Sequence, residues 1–177
     1  MDMMNESCSR FLAELASKAP TPGGGGTAAL VGAAGVALGN MVGNLTTGKK
    51  KYAAVEEKIQ ALNAKAETLR KELEALVQED AEAFAPLAAA YGLPKDTPEQ
   101  AADKERVMET ALTRAALVPI KIMQKCLEGI TLAYSYAVDG STMAISDAGC
   151  AAVLCKAALQ AASLNVFVNT KLMTNRE

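Results

Sequence analysis

The stretch KKYAAVEEKIQALNAKAETLRKELEALVQEDAEAFAPLAAAYG, residues 50–92, decides the fold class because its apolar residues recur in steps of three and four. This spacing is typical of one long helix that packs in a bundle or coiled coil. The apolar seam consists of Tyr52, Val55, Ile59, Leu62, Ala66, Leu69, Leu73 and Leu76. Of the 177 residues, 50% are hydrophobic but only 4% aromatic, which favours packed helices over strands. We predict one all-α domain over residues 1–177, an up-and-down helical bundle with one long helix.

A carboxylate interrupts this seam at Asp80, where a bundle would place leucine. Burying it without a partner would cost several kcal/mol. Pro86 follows two turns later and predicts a kink nearby. The chain contains no histidine, so acid–base chemistry must use carboxylates, Lys, Cys or Tyr. Asp80 is therefore the candidate catalytic residue, and a structural hydrogen-bonding role is the alternative.

A glycine run precedes the long helix in APTPGGGGTAALVGAAG, residues 19–35. A first helix over residues 5–18 must end before Pro20. Neither a P-loop nor a Rossmann turn fits, because both follow a strand and the former needs a lysine. A glycine loop that opens a helix can instead hold an anion or a flat ligand against free amides. We take Gly24, Gly25, Gly26 and Thr27 as candidate ligand contacts, with a flexible turn as the alternative.

Residues 27–45 carry no charge and have the length of a membrane span. Glycine and alanine supply little transfer energy, and Asn40 and Asn44 lie inside the segment. We therefore predict a buried helix outside any membrane, in which small residues allow close packing. The adjoining TTGKKKY, residues 46–52, places Lys49, Lys50 and Lys51 at the start of the long helix, where they oppose its dipole. They form either an anion-binding patch or a solvated cluster.

The second half of the chain predicts two further helices. Thr97 caps one, with Gln100 completing a capping box, and this helix runs to about Glu128 with an interruption at Pro119. The last helix has Ser146 as its predicted cap and Asp147 in its first turn, and it reaches about residue 169. Its only basic residue before that point is Lys156, which predicts a central position in the bundle.

Charge and cysteine content exclude several classes of function. The net charge is -2, which implies no basic surface for nucleic acid. The four cysteines form no C-x-x-C pair and there is no histidine, so we expect no metal site and reduced thiols. The N-terminus lacks the pattern of a signal peptide, and we expect a cytoplasmic protein.

Four segments together resemble the formiminotetrahydrofolate cyclodeaminase and methenyltetrahydrofolate cyclohydrolase family. They are PGGGGTAALVGAAGVALGNMVGNLTTGKKKY, DAEAF, LPKDTPEQ and SDAGCAAVLCKAALQAASLNV, in this order. The resemblance implies a helical bundle that dimerises and binds tetrahydrofolate, with Asp80 in catalysis and no cofactor beyond the folate. A predicted helix about 60 Å long, from residue 52 to residue 91, also favours a homodimer that covers its ends.

The resemblance implies one of two reactions on the one-carbon unit of folate. A cyclohydrolase adds water to 5,10-methenyltetrahydrofolate and gives 10-formyltetrahydrofolate. A cyclodeaminase closes formiminotetrahydrofolate and releases ammonia. The first is favoured because this chain shows no formiminotransferase domain; a non-catalytic helical dimer that binds folate is a further alternative. We assign Lys49 and Lys50 to the carboxylates of a polyglutamate tail, and count Asp147 among the substrate-binding residues.

Two features depart from the family pattern. Gln78 stands where a carboxylate is expected two residues before Asp80, so an acidic pair is not predicted. Family members usually continue with another helix after the LNV motif, whereas this sequence ends at TNRE. We therefore expect the last helix of the family to be absent from this chain.

Overall fold

The computed structural model describes residues 3–175, and every regular element in that range is helical. This confirms the all-α prediction. Five α-helices are present, α1 at Cys8–Leu15, α2 at Gly24–Asn44, α3 at Glu56–Tyr91, α4 at Pro98–Asp139 and α5 at Ile145–Lys171. Short 3-10 helices occupy Met3–Asn5, Lys50–Val55 and Thr142–Ala144.

Helices α2 to α5 form an up-and-down bundle in which each helix runs antiparallel to the next. Gly25 at the start of α2 lies against Asp80 late in α3, and Gly43 at its end lies against Asn63 early in α3. An ion pair joins Lys125 of α4 to Glu72 of α3. The order around the bundle is α2, α3, α4 and α5, and α5 returns beside α2.

Helix α2 approaches its neighbours closely because its buried faces carry glycine and alanine. A Cβ atom on Gly32 would lie 2.9 Å from Cys126 Sγ, and one on Gly35 would lie 2.8 Å from Cys155 Sγ. No real Cβ tolerates such distances, so these glycines are required for packing. Both α2 and the segment Thr142–Lys171 are long and apolar enough to cross a membrane by length and composition, but α2 lies largely buried inside this bundle.

The long helix begins later than predicted. Lys50 and Lys51 belong to a 3-10 helix, and α3 begins at Glu56. The physical reason is the helix dipole, which disfavours lysines in a first turn and favours Glu56 and Glu57 there. Glu56 also accepts hydrogen bonds from the backbone N–H of Gly48. The 36 residues of α3 span about 54 Å.

Two other helix predictions were wrong. Helix α4 continues through Pro119 to Asp139, because the buried Pro119 packs in the core and the lost backbone hydrogen bond is tolerated there. The first helix begins at Cys8, after the hydroxyl of Ser7 accepts a hydrogen bond from the Arg10 N–H. The capping box of Thr97 and Gln100 is confirmed.

Helix α5 also differs from its prediction. It begins at Ile145 directly after a 3-10 turn, so Ser146 lies inside its first turn and does not cap it. Asp147 lies in the first turn as predicted. The helix is not central, since Val153, Leu164 and Phe167 are each more than 60% exposed. A lack of charge therefore marks a helix with an apolar outer face rather than a helix surrounded by others.

Candidate functional site

The candidate site lies where the first turn of α2 meets Asp80 of α3. The backbone N–H of Gly26 donates a hydrogen bond to Asp80 Oδ2 at 2.8 Å. A Cβ atom on Gly25 would overlap the Asp80 carboxylate. The N-cap residue Gly23 offers no side-chain cap. Asp80 therefore caps α2 from a neighbouring helix, and only glycine at position 25 leaves room for it.

Asp80 is half-buried, and its environment favours the neutral carboxylic acid. Burial raises the pKa of Asp80, and the hydrogen bond from the Gly26 N–H opposes that shift without cancelling it. A raised carboxyl pKa suits a group that must accept a proton in one step and return it in the next. The geometry thus fits the acid–base role predicted from the interrupted seam.

The other predicted residues of this turn have different roles. Gly24 and Gly25 lie in the first turn of α2, where backbone N–H groups point away from the helix. The Thr27 hydroxyl donates a hydrogen bond to the Gly23 carbonyl at 2.8 Å, so this side chain closes the turn. Gln78 donates to Glu82 at 3.1 Å rather than supplying a second acid beside Asp80.

Asn165 of α5 is a site residue that the sequence analysis missed. Its terminal amide lies against the residue before Gly25, because a Cβ atom on Gly24 would be 3.1 Å from both Oδ1 and Nδ2. Its Nδ2 donates to the Ala161 carbonyl at 2.9 Å, which leaves Oδ1 available to accept a hydrogen bond from a ligand. The signal in the sequence was its place in the LNV motif.

The predicted lysines lie at the other end of α2. Lys49 and Lys50 are exposed, and neither has an ion pair within residues 3–175. The turn that carries them is fixed by Thr46, whose buried hydroxyl donates to the Val42 carbonyl and accepts the Ser141 N–H. Asp147, in the first turn of α5, lies at this same end.

Tyr52 beside the lysines is a second residue that the sequence analysis did not select as a site residue. Its hydroxyl lies 3.4 Å from Thr142 Oγ1 and accepts the Thr142 N–H at 3.1 Å. The Lys51 ammonium lies 5.1 Å from the centre of its ring. Hydrogen bonds from the side chain and backbone of Thr142 lower the pKa of Tyr52 to about 7. This end of the bundle thus brings together exposed lysines and a tyrosine whose hydroxyl ionises more readily than usual.

The predicted substrate-binding residues consequently form two groups rather than one. Gly24, Gly25 and Gly26 meet Asp80, whereas Lys49 and Lys50 lie beyond the far end of α2. The 21 residues of α2 separate the two groups by about 31 Å. We call these the carboxylate end and the lysine end.

An open groove lies outside both the carboxylate end and the lysine end, between α3 and α4. Its volume is about 700 Å³, and charged residues such as Lys65, Glu72 and Lys125 line it. Lys125 is already paired with Glu72 and Glu128. No predicted site residue lines this groove, so its size does not outweigh the chemistry of the carboxylate end.

Fold and site together define a helical-bundle protein with a half-buried carboxylate held against a glycine-rich helix start. Residues 7–177 match the family described as Formiminotransferase-cyclodeaminase. The methenyltetrahydrofolate cyclohydrolase of Methylorubrum extorquens is 46% identical over 172 residues, which cover 97% of this chain and 83% of that protein. This chain belongs to the formiminotransferase-cyclodeaminase family.

More distant relatives agree with this assignment. The formimidoyltransferase-cyclodeaminase of Rattus norvegicus is 31% identical over 173 residues, which cover 98% of this chain but 32% of that protein. The crystal structure of formiminotetrahydrofolate cyclodeaminase from Thermotoga maritima matches with a TM-score of 0.85 and 31% identity, covering 97% of this chain and 82% of that one. The family resemblance inferred from the motifs is thereby confirmed.

Proposed function

We propose that this protein is a methenyltetrahydrofolate cyclohydrolase, which converts 5,10-methenyltetrahydrofolate and water to 10-formyltetrahydrofolate. The observation that carries the proposal is the half-buried Asp80 carboxyl, whose pKa is raised by burial beside the glycine turn. The 46% identity to the Methylorubrum extorquens cyclohydrolase supports this reaction over others in the family.

In this reaction Asp80 handles the protons. Its carboxylate takes a proton from water as the oxygen bonds to the carbon between N5 and N10. The bond from this carbon to N5 then breaks, Asp80 returns the proton to N5, and the hydroxyl proton leaves to solvent as the formyl carbonyl forms on N10. A carboxyl group with a raised pKa suits both proton transfers. Its ionised form is a stronger base, and it readily takes up a proton again. The Asn165 amide oxygen and the first N–H groups of α2 orient the bound ligand.

Cyclodeaminase activity is the second candidate, because the relatives at 31% identity carry that name. There N10 attacks the formimino carbon and gives its proton to the Asp80 carboxylate. Asp80 then passes the proton to the former imino nitrogen, whose bond to that carbon breaks as ammonia leaves and the methenyl bridge forms. A folate-binding helical protein without turnover is a third candidate. We further propose that the protein acts in the cytoplasm as a homodimer, that Lys49 and Lys50 bind a polyglutamate tail, and that no cofactor beyond folate takes part.

Product analysis with two substrates tests the proposal. Purified full-length protein is incubated separately with 5,10-methenyl- and 5-formimino-tetrahydrofolate, while methenyl absorbance and released ammonia are followed. Loss of methenyl absorbance without ammonia, faster than the spontaneous hydrolysis and absent with Asp80→Asn, is the expected result. Gain of methenyl absorbance with stoichiometric ammonia would assign the cyclodeaminase reaction instead. Turnover of neither compound would reject both enzymes and leave the binding protein.

A further inference from the structure

The bundle has one helix fewer beyond its carboxylate end. Helix α2 begins at the level of Asp80 in α3 and Asn165 in α5, since Gly25 lies against the first and Gly24 against the second. Helix α3 continues for about 16 Å beyond Asp80, and α5 for about 9 Å beyond Asn165. Beyond the first turn of α2, the position that α2 holds in the bundle is therefore a space bordered by α3, α4 and α5. We call this space the terminal slot.

The first turn of α2 forms the floor of the terminal slot and is open to solvent. Gly24 is exposed, and a Cβ atom on Gly23 would meet nothing within 4 Å. Helix α4 reaches the same level, because Asn169 of α5 donates a hydrogen bond to the Ala115 carbonyl at 3.0 Å. A ligand that enters the slot thus reaches Asp80 at its floor.

Phe84 supplies an aromatic wall to the slot. It follows Asp80 by one helical turn, so the two side chains lie on the same face of α3. Earlier in the helix this face packs against α2, where a Cβ atom on Gly32 would lie 3.4 Å from Leu73 Cδ2. Because α2 has not yet begun at the level of Phe84, the ring borders the slot rather than another helix.

Two methionines complete the apolar walls. Met108 of α4 and Met173, which follows α5, are partly buried like Phe84, and all three pack on one small core cluster. The cluster consists of Leu87, Ala111, Leu112 and Ala115. Thioether side chains pack favourably against aromatic rings and adapt to their shape. The slot therefore combines apolar, partly aromatic walls with a floor that carries a carboxyl group, an amide and the first N–H groups of α2.

This combination suits a flat ring with polar edges. An aromatic side chain packs on the face of a flat heterocycle, while carboxyl, amide and N–H groups bind its edge. None of these groups is a cation, so the slot is less suited to a phosphate or to a chain of carboxylates.

We propose that Phe84 is a substrate-binding residue whose ring stacks on the pyrimidine ring of the folate pterin in the terminal slot, with Met108 and Met173 beside it. The inference rests on the proposed function for the identity of the ligand. Residues four apart on a helix have their Cβ atoms about 6 Å apart. A pterin stacked on Phe84 therefore brings its second ring, which carries N5, towards Asp80. The aminobenzoyl and glutamate groups then extend out of the slot towards solvent.

Titration calorimetry with 5-formyltetrahydrofolate, a stable reduced folate, tests the stacking without turnover. Phe84→Leu keeps apolar volume against the core cluster but removes the flat ring, so Kd should rise about fivefold. Phe84→Tyr keeps the ring and should bind within about twofold of wild type. Phe11→Leu is the matched control, since this ring is 6% exposed in the main core and its loss should lower the melting temperature without changing Kd. An unchanged Kd for Phe84→Leu, or a change equal to that of Phe11→Leu, would overturn the proposal.

A fluorescent reporter gives an independent test. The chain contains no tryptophan, so Phe84→Trp introduces a single one into the slot. A stacked pterin should quench its emission strongly. Ala61→Trp, at an exposed position about 34 Å away along the same helix, is the control and should be little affected. Equal quenching of the two variants, or none in Phe84→Trp under saturating 5-formyltetrahydrofolate, would overturn the stacking.

Turnover separates this binding site from the proposed function. Wild-type protein that binds 5-formyltetrahydrofolate with these differences, but turns over neither folate in the product analysis, would reject the proposed function and leave the slot as a pterin site. Turnover of methenyltetrahydrofolate with KM and Kd unchanged in Phe84→Leu would reject the slot and leave the function. Wild-type protein that does not bind 5-formyltetrahydrofolate would also overturn the slot.

Discussion

The carboxylate of Asp80 occupies the space that a Cβ atom on Gly25 would need. Its Oδ2 atom also accepts the N–H of the next residue, Gly26. The start of α2 and the Asp80 carboxylate therefore depend on each other. Glycine at position 25 leaves room for the carboxylate, and the carboxylate caps the helix. The half-burial that raises the pKa of Asp80 follows from this contact.

Gly25→Ala should lower activity strongly by displacing Asp80. The new methyl group would overlap the carboxylate, and a shift of about 1 Å in a reacting group costs on the order of 100-fold in rate. Steady-state turnover of methenyltetrahydrofolate measures the effect. Gly23→Ala is the matched control, since its Cβ would meet nothing within 4 Å, and it should retain near-normal turnover. Equal activities of the two variants would contradict the role of this contact.

Asp80→Asn should lower turnover by roughly 100-fold or more and raise stability at neutral pH. The amide keeps the size and the acceptor for the Gly26 N–H, but it cannot carry a proton. Because burial raises the pKa of Asp80 in the folded state, the stability that Asp80 contributes is fully present below its unfolded pKa of about 3.9. This stability is lost as pH rises through the folded pKa.

Denaturant melts of wild type and Asp80→Asn across the acid to neutral range measure this linkage. The variant should gain stability over wild type as pH rises, with the smallest difference below about pH 3.9. Near-normal turnover of the variant would contradict the catalytic assignment. A difference that is constant with pH would contradict the raised pKa.

Asn165→Ala should weaken catalysis while leaving the fold intact. The amide lies against Gly24 and bonds only within its own helix, through Ala161, so its loss removes a ligand contact and no link between helices. We expect kcat/KM to fall about tenfold, the loss of roughly one hydrogen bond to substrate. Asn169→Ala is the control, because Asn169 joins α5 to the Ala115 carbonyl and should affect melting temperature rather than kcat/KM. The reverse pattern would remove Asn165 from the site.

Local patterns in the sequence predicted the helices and the candidate acid Asp80. They did not predict which ends of the helices lie together. The seam through Leu69, Leu73 and Leu76 is buried as its period required, and Asp80 lies on it. Heptad spacing is a property of a single helix, so the sequence alone was enough to predict it. The separation of Lys49 from Asp80 depends on topology: in an antiparallel pair, the connecting turn lies at the end opposite to the free ends. The number of residues in α2, multiplied by the rise per residue, would have predicted this separation.

The apolar face of α5 was misread for a related reason. A lack of charge predicts a central helix, yet Leu164 and Phe167 are exposed. Composition does not distinguish a helix buried by its own chain from one with an outer face free for a second copy. Asn165 was missed because its neighbour Gly24 is distant in sequence, and only the bundle brings them together.

Lys49→Ala/Lys50→Ala should raise KM for folate and weaken its dependence on salt. Both side chains are exposed and free of ion pairs within residues 3–175, so they can bind carboxylates of the ligand. The increase in KM should be larger for a polyglutamate substrate than for the monoglutamate, since more carboxylates are lost as partners. Lys95→Ala, an exposed lysine after α3, is the control for net charge. Equal increases with both substrates would argue against binding of the tail.

Tyr52 should ionise near neutral pH, about three pH units below its ordinary value of 10.0. The Thr142 hydroxyl and N–H stabilise the phenolate, so the tyrosinate absorbance of one residue should appear near pH 7 and vanish in Tyr52→Phe. Thr142→Ala keeps the N–H but removes the hydroxyl, and should move the transition to higher pH.

Because the folded pKa is lowered, the stability contributed by Tyr52 is fully present above pH 10 and is lost as pH falls through about 7. Wild-type stability relative to Tyr52→Phe should therefore rise with pH between these values. A tyrosinate titration that begins only near pH 10 in wild type would contradict this contact network.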